Sequence, residues 1–356
     1  MIENVNIYDL VPAQIEDMIN KLKEALDIIK VRKQTISKTA SFEKDTMLCP
    51  YCHETCIVKN GHTKNKVQTY KCKNRGKRFN DLTSTVFAGC HLTYEQIVIF
   101  LQSFKDKISI RKTAERMGVN RNTVHLLRLK MLDSFKDTKK QIRLSDKVEA
   151  DEIYRSINLK GTKLIDMPRF SKPRSSKGAS TRGINSHKVC IASAIDENDT
   201  MFFEIVETGP ITSDMVKDSL GKKIGNVSKL ITDCKTSYES LAKEKHLNLK
   251  QVKSGCHADN DGNNLTNINS VHSGLTTFLS VFRGVSTKHL QGYLDWYTFD
   301  KYLNYSFNDA QQNNTLLKVS FANETNLNIN NAYNNHSGID FASVYYDYHY
   351  TPSRTN

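Results

Sequence analysis

No stretch of this 356-residue chain approaches the roughly 20 apolar residues that cross a bilayer, so a helical membrane protein is not expected. The opening residues, Met1-Ile2-Glu3-Asn4, lack a charged segment followed by an apolar run; no secretory leader is expected, and the compartment is read as cytoplasmic. Without an export signal, the eight cysteines read as metal ligands or buried thiols rather than disulfides. Cys90, Cys190, Cys234 and Cys256 are scattered and read as packing residues. Acid is locally absent. Ile57 to Asn80 carries eight Lys or Arg and no Asp or Glu, and nine basic residues from Arg155 to Lys188 face only Asp166. With a net charge of +13, these blocks point to a polyanionic partner, because each cation that meets a phosphate releases condensed counterions. Solubility alone would not leave whole segments without acids. The single tryptophan, Trp296, reads as core rather than as a base-stacking platform.

The strongest signal present is a pair of cysteine knuckles. Cys49-Pro50-Tyr51-Cys52 and Cys72-Lys73-Asn74-Arg75 have the separation of a zinc ribbon, in which two short turns aim thiolates at one tetrahedral Zn²⁺. Cys49, Cys52 and Cys72 are the expected zinc ligands. Arg75 stands where a fourth cysteine belongs, which weakens the site. Among His53, Cys56 and His62 as replacements, the first two lie too close to the first knuckle, so His62 on the returning strand is preferred.

The chain length suggests several domains, and an α+β multidomain organisation is expected. Residues 1–41 include an amphipathic stretch with Ile15, Ile19, Leu22, Leu26 and Ile29 at helical spacing. The zinc ribbon covers 42–82. A helical region, 83–145, begins with a Thr93/Gln96 capping box and contains a helix-turn-helix pattern from Ile108 to His125, with Ala114 at the helix contact and Gly118 at the turn. Its second helix would present Arg121, Asn122, His125 and Arg128 to a DNA groove; a purely structural helical hairpin is the alternative. From 146 to 303 strands alternate with helices: strands at 147–151, 189–195, 201–206, 229–233 and 249–252, and helices at 213–224, 238–245 and 267–282. Residues 304–356, with twelve Asn, form a tail expected to be disordered, although Tyr345 to Tyr350 could pair as a short strand.

The order β(Asp)–ββ–α–β(Asp)–α–β–α places Asp151 on a central strand and Asp233 on its neighbour, the layout of an RNase H-like α/β catalytic domain. Carboxylates at adjacent strand ends can hold a pair of Mg²⁺ (or Mn²⁺) ions for in-line phosphoryl transfer. Two strand-end aspartates by themselves often only cap loops. Joined to a ribbon, a helix-turn-helix and a basic loop, they indicate chemistry on DNA.

From about Leu48 to Leu303 the chain resembles bacterial DDE-type insertion-sequence transposases that carry an N-terminal zinc ribbon. The resemblance is carried by Phe79-Asn80-Asp81-Leu82-Thr83, Thr85-Val86-Phe87-Ala88-Gly89, Val148-Glu149-Ala150-Asp151-Glu152, Lys253-Ser254-Gly255-Cys256-His257, Asn267-Ile268-Asn269-Ser270-Val271-His272-Ser273, Gly284 to Leu290, and Tyr293-Leu294-Asp295-Trp296. It implies Asp151 and Asp233 as catalytic, magnesium-binding aspartates, with Asn269 at the third position. Gly274 and Thr276 stand where the family has Arg and Lys. The resemblance further implies a phosphate- or water-orienting role for His257, with a structural role equally open, a backbone-phosphate contact at Lys288, and capping or packing for His272 and Ser273. The implied partners are double-stranded DNA, as element ends and as target, and a second copy in a homodimer or larger synaptic complex, within the bacterial nucleoid. Two functions follow: a transposase that binds terminal inverted repeats, cleaves and transfers strands, or a catalytically impaired DNA-binding relic or regulator of the same descent.

Overall fold

The computed structural model describes residues 48–64, 67–160, 184, 188–253, 256 and 258–322. Four of the expectations, the amphipathic segment within 1–41, His257, most of the basic loop after Lys160 and the Tyr-rich end of the tail, lie outside them. The described residues fall into two compact units, one built from residues up to 121 together with 307–322, the other from 122–306.

The first unit begins with a three-stranded antiparallel sheet in the order β1 (Ile57–His62), β2 (Gln68–Cys72), β3 (Arg78–Asn80). Its small core consists of Cys49, Cys72 and Phe79, with Tyr70 stacked on Phe79 and Tyr51 meeting the same ring edge-on. Helix α1 (Tyr94–Lys105) starts at the expected capping box: the Thr93 hydroxyl accepts from the Gln96 N–H, and the Gln96 side chain accepts from the Thr93 N–H. Helix α2 (Ile110–Met117) is capped by Ser109 and ends on Gly118, whose φ of 64° is the left-handed conformation that glycine adopts without strain.

Helix α3 (Arg121–Ser134) and the short α4 (Lys136–Gln141) lead into the second unit. Its five-stranded mixed sheet has the order β6-β5-β4-β7-β8, formed by β4 (Leu144–Ser156), β5 (Lys188–Asp196), β6 (Met201–Thr208), β7 (Ile224–Asp233) and β8 (Asn248–Val252). Strand β5 runs antiparallel to β4 and β6, while β4, β7 and β8 are mutually parallel. This mixed α/β arrangement is consistent with an RNase H-like domain. The hairpin turn is held by Asp196, whose Oδ1 accepts from the Asn198 and Thr200 N–H groups. Helix α5 (Ser213–Ser219) is shorter than the expected 213–224: the chain passes through a 3-10 turn at Leu220–Lys222 and enters β7 five residues early.

Alternation along β4 organises everything that follows. Val148 and Ala150 point to one face, into a core with Phe202, Val216, Leu230, Leu241 and Tyr238 of α6 (Ser237–Glu244). Glu149, Asp151 and Arg155 point to the other, where α7 (Thr266–Ser280) lies, because side chains alternate along a strand. Helix α8 (Leu290–Ser306) covers that second face with Trp296 and Tyr297, both 2% exposed, against Phe203, Phe278 and Phe282. Trp296 is a core residue, as expected.

The tail differs from expectation. Helix α9 (Asp309–Ala322) occupies its beginning, with Asp309 paired to Lys105, Asn313 Oδ1 3.4 Å from the Lys105 ammonium, and Leu316 buried. Composition missed this helix because its Asn- and Gln-rich first half masks the short apolar stretch in which Leu316 is buried.

Candidate active site and cysteine cluster

The strand expected to end at Asp151 runs on to Ser156, so Asp151 sits within β4, opposite Ser193 of β5, while Asp233 ends the neighbouring parallel strand β7. The topology therefore brings two carboxylates that are 82 positions apart onto neighbouring interior strands of the sheet. Carboxylate oxygens of Asp151, Glu152 and Asp233 all lie within 4.8 Å of one another. The expected aspartate pair is thus joined by a third acid, and Lys235 reaches into the cluster. Its Nζ lies 2.9 Å from Asp233 Oδ2 and 3.7 Å from Asp151 Oδ1, and pairs closely with Glu152, whose side chain is fully buried. Burial pulls the Lys235 pKa down, but the Asp233 and Glu152 carboxylates outweigh it and hold the ammonium above its ordinary value. Burial also raises the carboxyls of Asp151 and Glu152, with the lysine acting in the opposite sense.

His272, on α7, completes the Asp151 surroundings. Its Nε2 is 2.8 Å from Ser193 Oγ, and that hydroxyl lies 2.6 Å from the Asp151 carbonyl oxygen. The serine hydroxyl has one hydrogen and gives it to the carbonyl, so the imidazole Nε2–H is the donor to Ser193. The other nitrogen, Nδ1, then faces Asp151 Oδ2 across 3.9 Å as an unprotonated acceptor. Burial lowers the His272 pKa to about 4. Two acceptors facing each other, beside three carboxylates that already gather one cationic ammonium, form a donor set that suits a hard divalent ion.

The position of α7 is fixed from β4 by Glu149. This acid is 2% exposed; it accepts from Asn267 Nδ2 at 2.9 Å and from the Ile268 N–H at 3.0 Å. The helix's own N-cap, Leu265, makes no side-chain cap, so a carboxylate from the neighbouring strand satisfies the helix start. Asn269 follows on the first turn, exposed, three residues before His272 and hence on the same face.

The two departures from the family motif on this helix have different surroundings. At Gly274 a Cβ would lie 2.4 Å from the Tyr297 hydroxyl, which donates to the Val271 carbonyl at 3.2 Å. A side chain here would force Tyr297 to move. Thr276 Oγ1 donates to the His272 carbonyl and accepts from Arg155 Nη2 at 2.9 Å.

The residues expected to read DNA separate into two groups. Arg121 and Asn122 are exposed at the start of α3, and His125 is partly buried. Arg128 is 4% exposed, with its guanidinium 5.8 Å from the Phe282 and Trp296 rings and hydrogen-bonded to Tyr293. It cannot enter a groove, because every residue from Leu127 to Leu132 is buried and that part of α3 belongs to the core. Lys288 is partly buried, which lowers its pKa.

In the first unit, the Sγ atoms of Cys49, Cys52 and Cys72 lie within 4.8 Å of one another, with Cys52 and Cys72 at 3.6 Å. The Tyr51 N–H points to Cys49 Sγ at 3.4 Å and the Arg75 N–H to Cys72 Sγ at 3.3 Å. Such backbone donors favour thiolates. At Cys49 they outweigh burial and lower the pKa. No fourth Cys, His, Asp or Glu among the described residues joins the group. The expected rescue by His62 fails for a register reason. Ile57 pairs with Cys72 and His62 with Gln68, so His62 lies at the far end of the hairpin, about 13 Å along the strand from Cys72 at ~3.3 Å per residue. His53 and Cys56 are exposed and outside the group. Arg75 contributes its backbone N–H while its side chain is exposed.

The signals for Glu149, Glu152, Ser193 and Lys235 were weak in the sequence. The alternation Glu149-Ala150-Asp151-Glu152 could have flagged the two glutamates; nothing local marks Ser193 or Lys235.

Residues 143–300 match the family described as an ISXO2-like transposase domain. Over 253 residues the chain is 24% identical to an uncharacterized protein in transposable element ISH50 of Halobacterium salinarum, covering 70% of this chain and 84% of that protein. It overlaps a pre-cleavage Mos1 transpososome chain with a TM-score of 0.27 at 12% identity, over 62% of this chain and 74% of that one. The overlap with the Drosophila P element transposase strand transfer complex has a TM-score of 0.23 at 13% identity, over 73% and 64% respectively. No helix among the described residues is long and apolar enough to cross a membrane.

Proposed function

We propose, from the premise that residues 143–300 form the ISXO2-like domain of a DDE-type insertion-sequence transposase, that this chain binds its element's ends and cleaves and transfers DNA strands at the Asp151–Asp233 centre. One observation carries this reading: acids from two separate strands converge around a single cationic group, the Lys235 ammonium. Asp151 and Asp233 would hold Mg²⁺ or Mn²⁺, with Asn269 as a neutral oxygen donor from α7. Bound there, the metal would activate a water or 3′-hydroxyl and offset charge on the leaving oxygen. The chain's own residues prepare that site. Lys235 balances the charge of the acids that would hold a divalent ion. Glu149 sets the start of α7, and Ser193 orients a neutral His272 toward Asp151.

Cys49, Cys52 and Cys72 would bind Zn²⁺ through three thiolates as a ribbon of reduced affinity. We assign DNA contact to Arg121, Asn122, His125 and Lys288 of the helix-turn-helix and its surroundings, without Arg128, and expect two copies to pair two ends. The test uses purified protein, Mg²⁺ or Mn²⁺ and DNA carrying the flanking inverted repeats. Strand cleavage is expected, and is expected to vanish in Asp151→Ala and Asp233→Ala. DNA binding with no cleavage in either metal would instead identify a binding protein that has lost catalysis.

A further inference from the structure

Arg155 is four residues beyond Asp151 on the same face of β4, about 13 Å farther along the strand at ~3.3 Å per residue. Its guanidinium is partly buried, and among the described residues its hydrogen-bond partner is Thr276 Oγ1. Among the described residues the enclosed Nε–H has no acceptor and no carboxylate pairs with the charge. Burial alone lowers its pKa, with no neighbouring charge contributing. A desolvated cation without a counter-charge is costly to fold, and an anion relieves that cost.

The surroundings have the same sign. The sequence holds no Asp or Glu from Arg155 to Lys160, and none from Asn267 to Leu294. These two segments are tied together: the Asn158 N–H donates to Thr287 Oγ1 at 2.7 Å, the Thr287 N–H donates to the Asn158 carbonyl at 2.8 Å, and Lys160 Nζ lies 3.5 Å from the Gly284 carbonyl. Beyond the acidic cluster, these two joined segments thus carry Arg155 and Lys160 with no acid of their own.

We propose that Arg155, held by Thr276, is a phosphate-contact residue that grips the DNA backbone beside the acidic centre, with Lys160 continuing the same track. The inference rests on the transposase reading for its ligand. Its distance from Asp151 assigns it to a flanking phosphate, so it positions the strand and does not touch the reacting group.

The experiment measures binding of the full chain to a short mixed-sequence DNA duplex across a salt series, for wild type, Arg155→Gln and Arg155→Lys, with melting temperatures alongside. Arg155→Gln is expected to weaken binding about tenfold at moderate salt and to lower the slope of log K against log salt by ~0.9, one phosphate contact. Arg155→Lys keeps the charge and is expected to restore most of the slope. A merely structural arginine would lower the melting temperature of both variants and leave the slope unchanged, which overturns the assignment. If Arg155→Gln does not fold, an unchanged slope in Thr276→Val together with a wild-type slope in Lys160→Gln overturns it equally. Wild-type protein with no salt-dependent affinity for duplex DNA would sink the DNA-processing reading itself, whereas salt-dependent binding unaffected by these variants sinks only the Arg155 track.

Discussion

Replacing Glu149 tests whether a residue that touches no reacting group sets the geometry of the site. Its carboxylate accepts from Asn267 Nδ2 and from the Ile268 N–H, and it is 2% exposed. Hydrogen bonds to a charged acceptor contribute ~1.5–3 kcal/mol each, and an anion at a helix start adds ~0.3–1 kcal/mol. Removing the carboxylate also removes the cost of burying it, so Glu149→Ala is expected to destabilise the second unit by about 3 kcal/mol. For a unit spanning residues 122–306, that corresponds to a melting temperature lower by ~6–12 °C. Glu149→Gln separates charge from shape. The glutamine oxygen can still accept from Ile268, and a flipped Asn267 amide can accept from the glutamine nitrogen, so only the helix-end charge is lost and the drop is expected to stay near ~1 kcal/mol. Thermal unfolding gives the magnitudes, and amide exchange reports whether the first turn of α7 loosens. DNA cleavage should fall in Glu149→Ala while Asp151 and Asp233 remain in place. A Glu149→Ala protein that melts within ~2 °C of wild type, with unaltered exchange at Ile268, would refute this account of how α7 is positioned.

Gly274→Ala is expected to destabilise by ~1–3 kcal/mol despite the better helix propensity of alanine, because the new Cβ meets the Tyr297 hydroxyl; Tyr297→Phe should relieve much of that loss, and equal losses in both backgrounds would rule the clash out. His272 has a folded pKa of about 4 against an ordinary value of 6.5, so the neutral form is favoured on folding. Its contribution is complete above pH 6.5 and is lost as the pH falls toward 4, about 3 kcal/mol over that range at ~1.4 kcal/mol per pH unit. His272→Gln should flatten that acid limb in melting curves, and an identical limb in both proteins would disprove the assignment. Arg75→Cys should supply the missing thiolate and raise zinc affinity by about tenfold or more in chelator competition, whereas Cys72→Ser should abolish stoichiometric zinc; indifference to both would remove zinc from the first unit.

Elements with their own local signals were legible in the sequence. The capping box at Thr93, the left-handed turn at Gly118, the Asp196 hairpin and the buried strands around Asp151 and Asp233 each follow from nearby residues whose preferences agree with the tertiary context. Where local signals were silent or ambiguous, tertiary packing decided. Helix periodicity offered Arg128 as groove-facing, yet the aromatic side chains of α8 and the turn before it enclose it. A place on the returning strand favoured His62 as a ligand, yet antiparallel register carries it to the wrong end of the hairpin.

By itself, then, the sequence determined the order of strands and helices between 147 and 282, the three clustered thiols and the two aspartates on neighbouring strands, because each depends on spacing along one chain segment. Only the tertiary structure decided that Lys235 and Glu152 join those aspartates, that Glu149 pins α7, and that Arg155 meets Thr276 across 121 positions. These contacts arise where the sheet sets β4 against β7 and against α7. No local pattern encodes a pairing between side chains that far apart.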